Sequence, residues 1–353
     1  MIHKWDSAKG QLMSILSKLY GQYERDVKDV FWNDMERRVY QSIINRTADL
    51  SDFKNALKNL TEYLYRVDNK PVILLIDEYD VPIQSGWSYG YYDEVIDFMR
   101  GLLSGALKDN SYLFKGVLTG IYRVAKESIF SGLNNLSVFT LMDKDYVTYF
   151  GFTETEVEEL LETYSVDASE REAVKTWYNG YNFGGHTIYN PWSILNYLRF
   201  HELKPYWTNT SSNELIQETI ELNMKKRRKF RREIQSLIAG GSIGSTIDDS
   251  SALRELRTKP NTIWALFLFS GYLKAETMTL KAGKYDCELR IPNEEVLIFF
   301  KDTVMEWLSA NDPDILYDMS ESLRRGEGER FCEELKKFVL ETLSYYDIEG
   351  EPE

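Results

Sequence analysis

Hydrophobic positions in the first part of the chain switch between two spacings. Phe53, Leu57, Leu60 and Leu64 recur three or four residues apart. That is the repeat of a helix with one buried face, and Ser51 stands in front as a candidate cap. Val72 to Ile76 then form a solid apolar run. It is too short for a buried helix and rich in β-branched residues, so it predicts a strand. Tyr92, Val95, Ile96, Met99, Leu103 and Leu107 return to helical spacing, and Tyr112 to Ile121 (YLFKGVLTGI) reads as a second apolar strand closing on Thr119 and a glycine. Unbroken apolar strands separated by amphipathic helices predict a parallel sheet with helices on both faces. Such sheets bind ligands at the carboxyl ends of their strands.

From Gly151 the pattern turns helical. FTETEV carries a capping box, Thr153 with Glu156, and a hydrophobic staple, Phe152 with Val157. Asn190 and Pro191 follow the aromatic stretch WYNGYNFGGHTIYNPWS and read as a cap with proline in the first turn. IWALFLFSGYLKAE and YDCELRIPNEEV predict a helical domain closed by a hairpin. Asn293 then caps a further helix, with Glu294 and Glu295 at its positive end.

Charge narrows the function classes. The 353 residues carry a net charge of −14, so nucleic acid or an anionic membrane would be attracted only by a local basic patch. One such patch exists, KKRRKFRR: Lys225, Lys226, Arg227, Arg228, Lys229, Arg231 and Arg232. It reads either as a phosphate-binding surface or as the solvated side of a helix. The second is simpler, because Ile216, Ile220, Met224, Phe230, Ile234 and Leu237 keep helical spacing through it. Two distant cysteines, Cys287 and Cys332, exclude a disulfide framework or a cysteine zinc site and read as small buried hydrophobes. Three histidines make a His-rich metal site a poor fit, and His186 has no partner in sequence. No apolar run reaches membrane-span length and the N-terminus lacks a signal-peptide core, so the expectation is a cytoplasmic protein without membrane contact.

The chemistry gathers where the first strand ends, in KPVILLIDEYDVPI. Asp77 and Glu78 follow five apolar residues directly. A Walker B element needs this arrangement: an aspartate for Mg²⁺ and a glutamate to polarise the attacking water. Strand-end acids also occur simply because carboxylates stay solvated there. Asp80 either joins this site or caps the turn before Pro82. A phosphate-cradling G-x-x-x-x-G-K-[ST] loop does not occur in the chain; GGSIGST, Gly240 to Thr246, has no lysine and reads as a loop. The residues alone therefore supply a magnesium end without a phosphate end.

LLIDEYDVPI, VLTGIYRVAKESIFSGLNNLS, FGFTETEVEELL, WYNGYNFGG, IYNPWSILNYL and LFSGYLKAE…LRIPNEEV, in this order, resemble the predicted AAA-ATPase-like family of bacteria and archaea. The resemblance implies a P-loop NTPase fold, Mg²⁺-dependent ATP binding and hydrolysis, and a PD-(D/E)XK nuclease-type domain at the C-terminal side. By it, Asp77 is the magnesium ligand and Glu78 the catalytic base. Thr119 falls where a γ-phosphate sensor stands, or is a plain strand-end hydroxyl. Arg123 contacts phosphate or acts as an arginine finger, or forms a surface ion pair. A Walker A loop would precede His3-Lys4-Trp5, and TLSYYDIEGEPE would lie just before the nuclease core. The implied organisation is an α/β P-loop NTPase-like domain over 1–150, a helical lid and winged-helix-like domain over 151–300, and the start of a nuclease-type region over 301–353. Coupling to nucleic-acid or defence-related work is the expected role of the intact architecture. A non-catalytic interaction module and a nucleic-acid-binding winged-helix module are the competing readings. The aromatic stretch Trp177 to Trp192 reads as domain packing ahead of base or sugar stacking.

Overall fold

The computed structural model describes residues 4–121, 136–210, 213–248, 259–311, 313–333 and 335. Three helices come first: α1 (Trp5–Val27), α2 (Asp34–Asn45) and α3 (Leu50–Asp68). They are tied by two buried hydroxyls, Tyr20 donating to the Ala56 carbonyl at 2.6 Å and Tyr40 to that of Tyr20 at 2.7 Å. The α3 cap is Asp49, which accepts from the Asp52 amide at 2.9 Å. Ser51, the expected cap, lies inside the first turn and donates to Asp49. A carboxylate one position ahead of the helix outcompetes a hydroxyl already within it.

Then follow β1 (Val72–Ile76), α4 (Val81–Tyr89), α5 (Tyr92–Leu107) and β2 (Leu113–Leu118). β1 and β2 pair in parallel, Ile76 opposite Leu118. Leu74, Ile76, Leu113 and Leu118 pack against the core that α3 and α5 share. The other face is open, with Leu75 72% and Phe114 70% exposed beside Ile73 and Val117. Coverage of both faces, expected from the unbroken apolar runs, is not found among the described residues. α3 and α5 pack on each other and so serve the same side of the pair.

Beyond residue 150 lie β3 (Phe152–Thr153), α6 (Glu154–Thr163), α7 (Ala168–Tyr178), β4 (Tyr181–Phe183), β5 (His186–Tyr189) and α8 (Pro191–Phe200). The strands form an antiparallel sheet in the order β3-β5-β4. The Thr153–Glu156 capping box and the Asn190 cap ahead of Pro191 are both present. Val157, Tyr178, Tyr189 and Ile194 make a small core of their own, with Phe152 against it. Most of the aromatic stretch therefore packs, as expected, while Trp192 and His186 stay exposed.

The chain continues through α9 (Glu214–Lys226), α10 (Arg228–Ile238), β6 (Ile243–Ile247), α11 (Pro260–Phe269), β7 (Lys274–Lys281), β8 (Lys284–Arg290), α12 (Glu294–Asn311) and α13 (Pro313–Arg325). β6, β8 and β7 form an antiparallel sheet in that order, the last two as the expected hairpin. GGSIGST is therefore half strand: pairing of Ile243 to Ile247 with β8 overrides its glycine-rich composition. Asn293 caps α12 through the Val296 amide. The apolar segment α11 is buried on every side, and its residues share one core cluster with α1, α3, α5, α9, α10 and α12. Cys287 is buried as expected, but Cys332 is exposed. Among the described residues no helix is long and apolar enough to cross a membrane.

Candidate functional site

β1 delivers Asp77 and Glu78 to the carboxyl end of the parallel pair, where both are exposed. The ladder runs one step past the strands: the Thr119 amide donates to the Ile76 carbonyl at 2.9 Å and the Tyr79 amide to the Thr119 carbonyl at 3.1 Å. This register lays Thr119 beside Asp77, and its hydroxyl donates to Asp77 Oδ1. The Glu78 amide donates to the same oxygen at 3.1 Å. Asp77 Oδ2 has no partner among the described residues. One carboxylate oxygen is thus fixed by two donors while the other is left to the solvent side.

Glu78 sits at φ 51, in the left-handed region that costs a non-glycine residue about 1 kcal/mol. Arg46, Asn69 and His201 share that geometry at helix C-termini, where it is routine. Glu78 instead stands between a strand and a helix, with its side chain exposed. Glu78→Gly is expected to leave thermal stability equal or raise it by up to about 1 kcal/mol. Thermal melts of the two proteins check this; a clear loss of stability would show that the carboxylate holds the turn.

Asp80 does not join the pair. It is 1% exposed, accepts from Gln84 Nε2 at 2.8 Å and stands at the start of α4 without a side-chain cap bond. Gly120 lies directly against it: an added Cβ would meet Asp80 Oδ1 at 2.6 Å and Tyr79 Cε1 at 2.8 Å. The turn-cap reading holds in position, since Asp80 is the N-cap of α4 and its carbonyl accepts from the Ile83 and Gln84 amides, but its carboxylate is buried and makes no cap bond. The signal of that burial was the glycine after Thr119, where β2 must pass close to the corner.

The corner therefore brings Asp77, Glu78 and Thr119 together. Arg123 lies outside the described residues. The cations from Lys225 to Arg232 are elsewhere, on α9 and α10. A cavity of about 300 Å³ opens at the far end of α4, lined by Trp87, Glu218, Leu222 and Lys225 among others. It shares no residue with the acid corner. No group of three His, Cys, Asp or Glu able to cage a metal occurs among the described residues. Mg²⁺ does not need one: it keeps several waters and binds through one or two carboxylates plus substrate phosphates. A half-anchored Asp77 fits that donor set.

The fold and site define a mixed α/β protein that presents its acids at the carboxyl ends of parallel strands. Residues 2–130 match the AAA-ATPase-like family model, described as a predicted AAA-ATPase. A related protein of Azotobacter chroococcum mcd 1, described as an uncharacterized protein in the vnfD 5' region, is 29% identical over 226 residues. The alignment covers 64% of this chain and 41% of that protein, so the chain spans less than half of its relative. No solved structure matches.

Proposed function

We propose that the Asp77 corner is the magnesium end of an ATP-binding and ATP-hydrolysing site. The observation that carries this reading is the Asp77 carboxylate, held at Oδ1 by Thr119 and the Glu78 amide with Oδ2 left for a ligand. When bound, Mg²⁺ would neutralise charge on phosphate oxygens. Asp77 would hold the ion directly or through water. Glu78, exposed and with no side-chain bond among the described residues, would orient the attacking water. Thr119 would keep Asp77 in place and report on the phosphate beside it. α4 begins at this corner, and its positive end favours an anion there. Arg123 keeps its proposed phosphate contact. The intact arrangement in this reading adds a Walker A loop, a nuclease-type domain beyond residues 301–353, and nucleic-acid or defence-related work.

Backbone amides and a lysine supply most of a P-loop's grip on the triphosphate. The chain contains no such loop. We therefore expect this polypeptide to bind Mg·ATP at millimolar rather than micromolar strength, about 4 rather than 8 kcal/mol, and not to turn it over. Mn²⁺ with ATP should broaden the amide signals around Asp77 and Thr119 in nuclear magnetic resonance, and Asp77→Asn should remove the effect. Broadening that survives Asp77→Asn would sink the site; micromolar affinity by calorimetry would overturn the expected weakness.

A second reading, a protein-interaction module built on an ATPase scaffold, is favoured by the open apolar face of β1 and β2. The winged-helix-like reading of the segment from α9 to β8 draws support from its three-stranded antiparallel sheet and hairpin. Its α11, though, is enclosed by the core and offers no face to a DNA groove.

A further inference from the structure

The basic run is not one helix side. α9 stops at Lys226, α10 starts at Arg228, and Arg227, with φ −133 and ψ 108, closes one and opens the other. The inside of this corner is apolar: Met224, Phe230 and Ile234 are buried, and Phe230 stacks on Trp264 at 5.1 Å. Some of the cations have structural work. Arg231 donates to the carbonyls of Met224 and Lys225, closing the end of α9, and lies 5.9 Å from the centre of the Trp307 ring. Lys229 pairs with Glu233 at 3.6 Å.

Part of the remainder works against the fold. α10 opens with arginine and lysine at its positive end, with no acid in its first turn and no side-chain acceptor at its cap. Cations there oppose the helix dipole. Lys225, Lys226 and Arg232 are exposed and form no ion pair among the described residues. Arg227 Nη1 is buried without a partner. A chain of net charge −14 has acids enough to neutralise these groups, yet leaves them open.

We propose that the α9–α10 corner binds the phosphate backbone of nucleic acid. Several separate exposed charges along the corner suit repeated phosphates better than one enclosed anion. With Phe230 turned inward, the corner has no aromatic for base stacking, so contact is with phosphate alone and is indifferent to sequence. The surface uses neither Asp77 nor a nucleotide, so it stands or falls apart from the ATP reading.

The test is fluorescence anisotropy of a labelled DNA duplex with the whole chain. With about four phosphates neutralised, affinity should fall about 150-fold between about 50 and 200 mM salt. Reversing Lys225, Lys226 and Arg232 to glutamate should weaken low-salt binding at least 10-fold while the circular dichroism spectrum stays that of the wild type, since none of the three is buried or in an ion pair among the described residues. Melting should fall only slightly, because Lys225 and Lys226 lie in the last turn of α9. Alanine at the same positions should flatten the salt slope by about 2.7 in log–log terms. Asp77→Asn should leave binding intact. No binding at low salt, binding untouched by the glutamate or alanine variants, or binding to phosphatidylcholine–phosphatidylserine vesicles but not to DNA would each overturn the proposal.

Discussion

Glu295→Ala is expected to destabilise the protein by about 3 kcal/mol, and the difference should be visible in urea titrations. The Glu295 carboxylate is 0% exposed. Ser193 Oγ donates to one oxygen at 2.7 Å and the Trp207 amide to the other at 2.5 Å, so a single side chain ties α8, the segment before α9 and the first turn of α12. Truncation leaves the buried Ser193 hydroxyl and the half-buried Trp207 amide without their acceptor, at about 1–3 kcal/mol each. Relief of the buried charge works in the opposite direction. Burial is the largest influence on this carboxyl and pushes its pKa above the ordinary 4.5, against the opposing hydrogen bonds from Ser193 and the Trp207 and Thr208 amides. The orphaned donors outweigh that relief because the hydrogen bonds already recover part of the desolvation cost.

The same raised pKa gives the prediction a pH signature. The folded state holds the proton more tightly than the unfolded chain. The stability this contributes is complete below about pH 4.5 and is lost as pH rises through the folded value. Glu295→Gln keeps an acceptor and cannot ionise. Wild type should therefore lose ground to the glutamine variant as pH rises from 4.5 towards neutrality. A difference that stays flat over that window would show that Glu295 is charged at no cost.

Gly180→Ala should be as damaging, about 3–5 kcal/mol in the same assay. Gly180 has φ +112, and an added Cβ would stand 2.3 Å from the Pro292 carbonyl oxygen and 3.1 Å from its carbon. Both obstacles are backbone, so no rotamer change removes the clash. Pro292 leads into the Asn293 cap and the turn that carries Glu295. The two substitutions thus strike one joint, and their combined cost should fall short of the sum. A Gly180→Ala protein within about 1 kcal/mol of wild type would show that β4 can draw back from α12 freely.

What could be read from sequence was local. The Thr153–Glu156 box, the Asn190 and Asn293 caps, the strand Val72–Ile76 and the helix Tyr92–Leu107 each depend on residues a few positions apart. The break at Arg227 was hidden because the apolar spacing continues across it, one corner residue standing in for a helical one. β6 was hidden because its stabilising partner, β8, lies about forty residues on. At the candidate site, the strand ends were legible but their bond was not. Thr119 reaches Asp77 only through the parallel register of β1 and β2. Asp80 differs from Asp77 by a change of direction at Glu78, and nothing in the composition of DEYD reveals which carboxylate turns inward.

The oily side of the β1–β2 pair also governs how the molecule behaves in a tube. Its surplus of 14 negative charges holds copies apart over about 30 Å in 0.01 M salt, but over only about 3 Å in 1 M. Sulfate adds to this by driving apolar surfaces together. Ile73, Leu75, Phe114 and Val117 then meet with little to resist them. Dilute buffer should keep this protein dispersed through repulsion, and concentrated sulfate is the condition under which it should cluster.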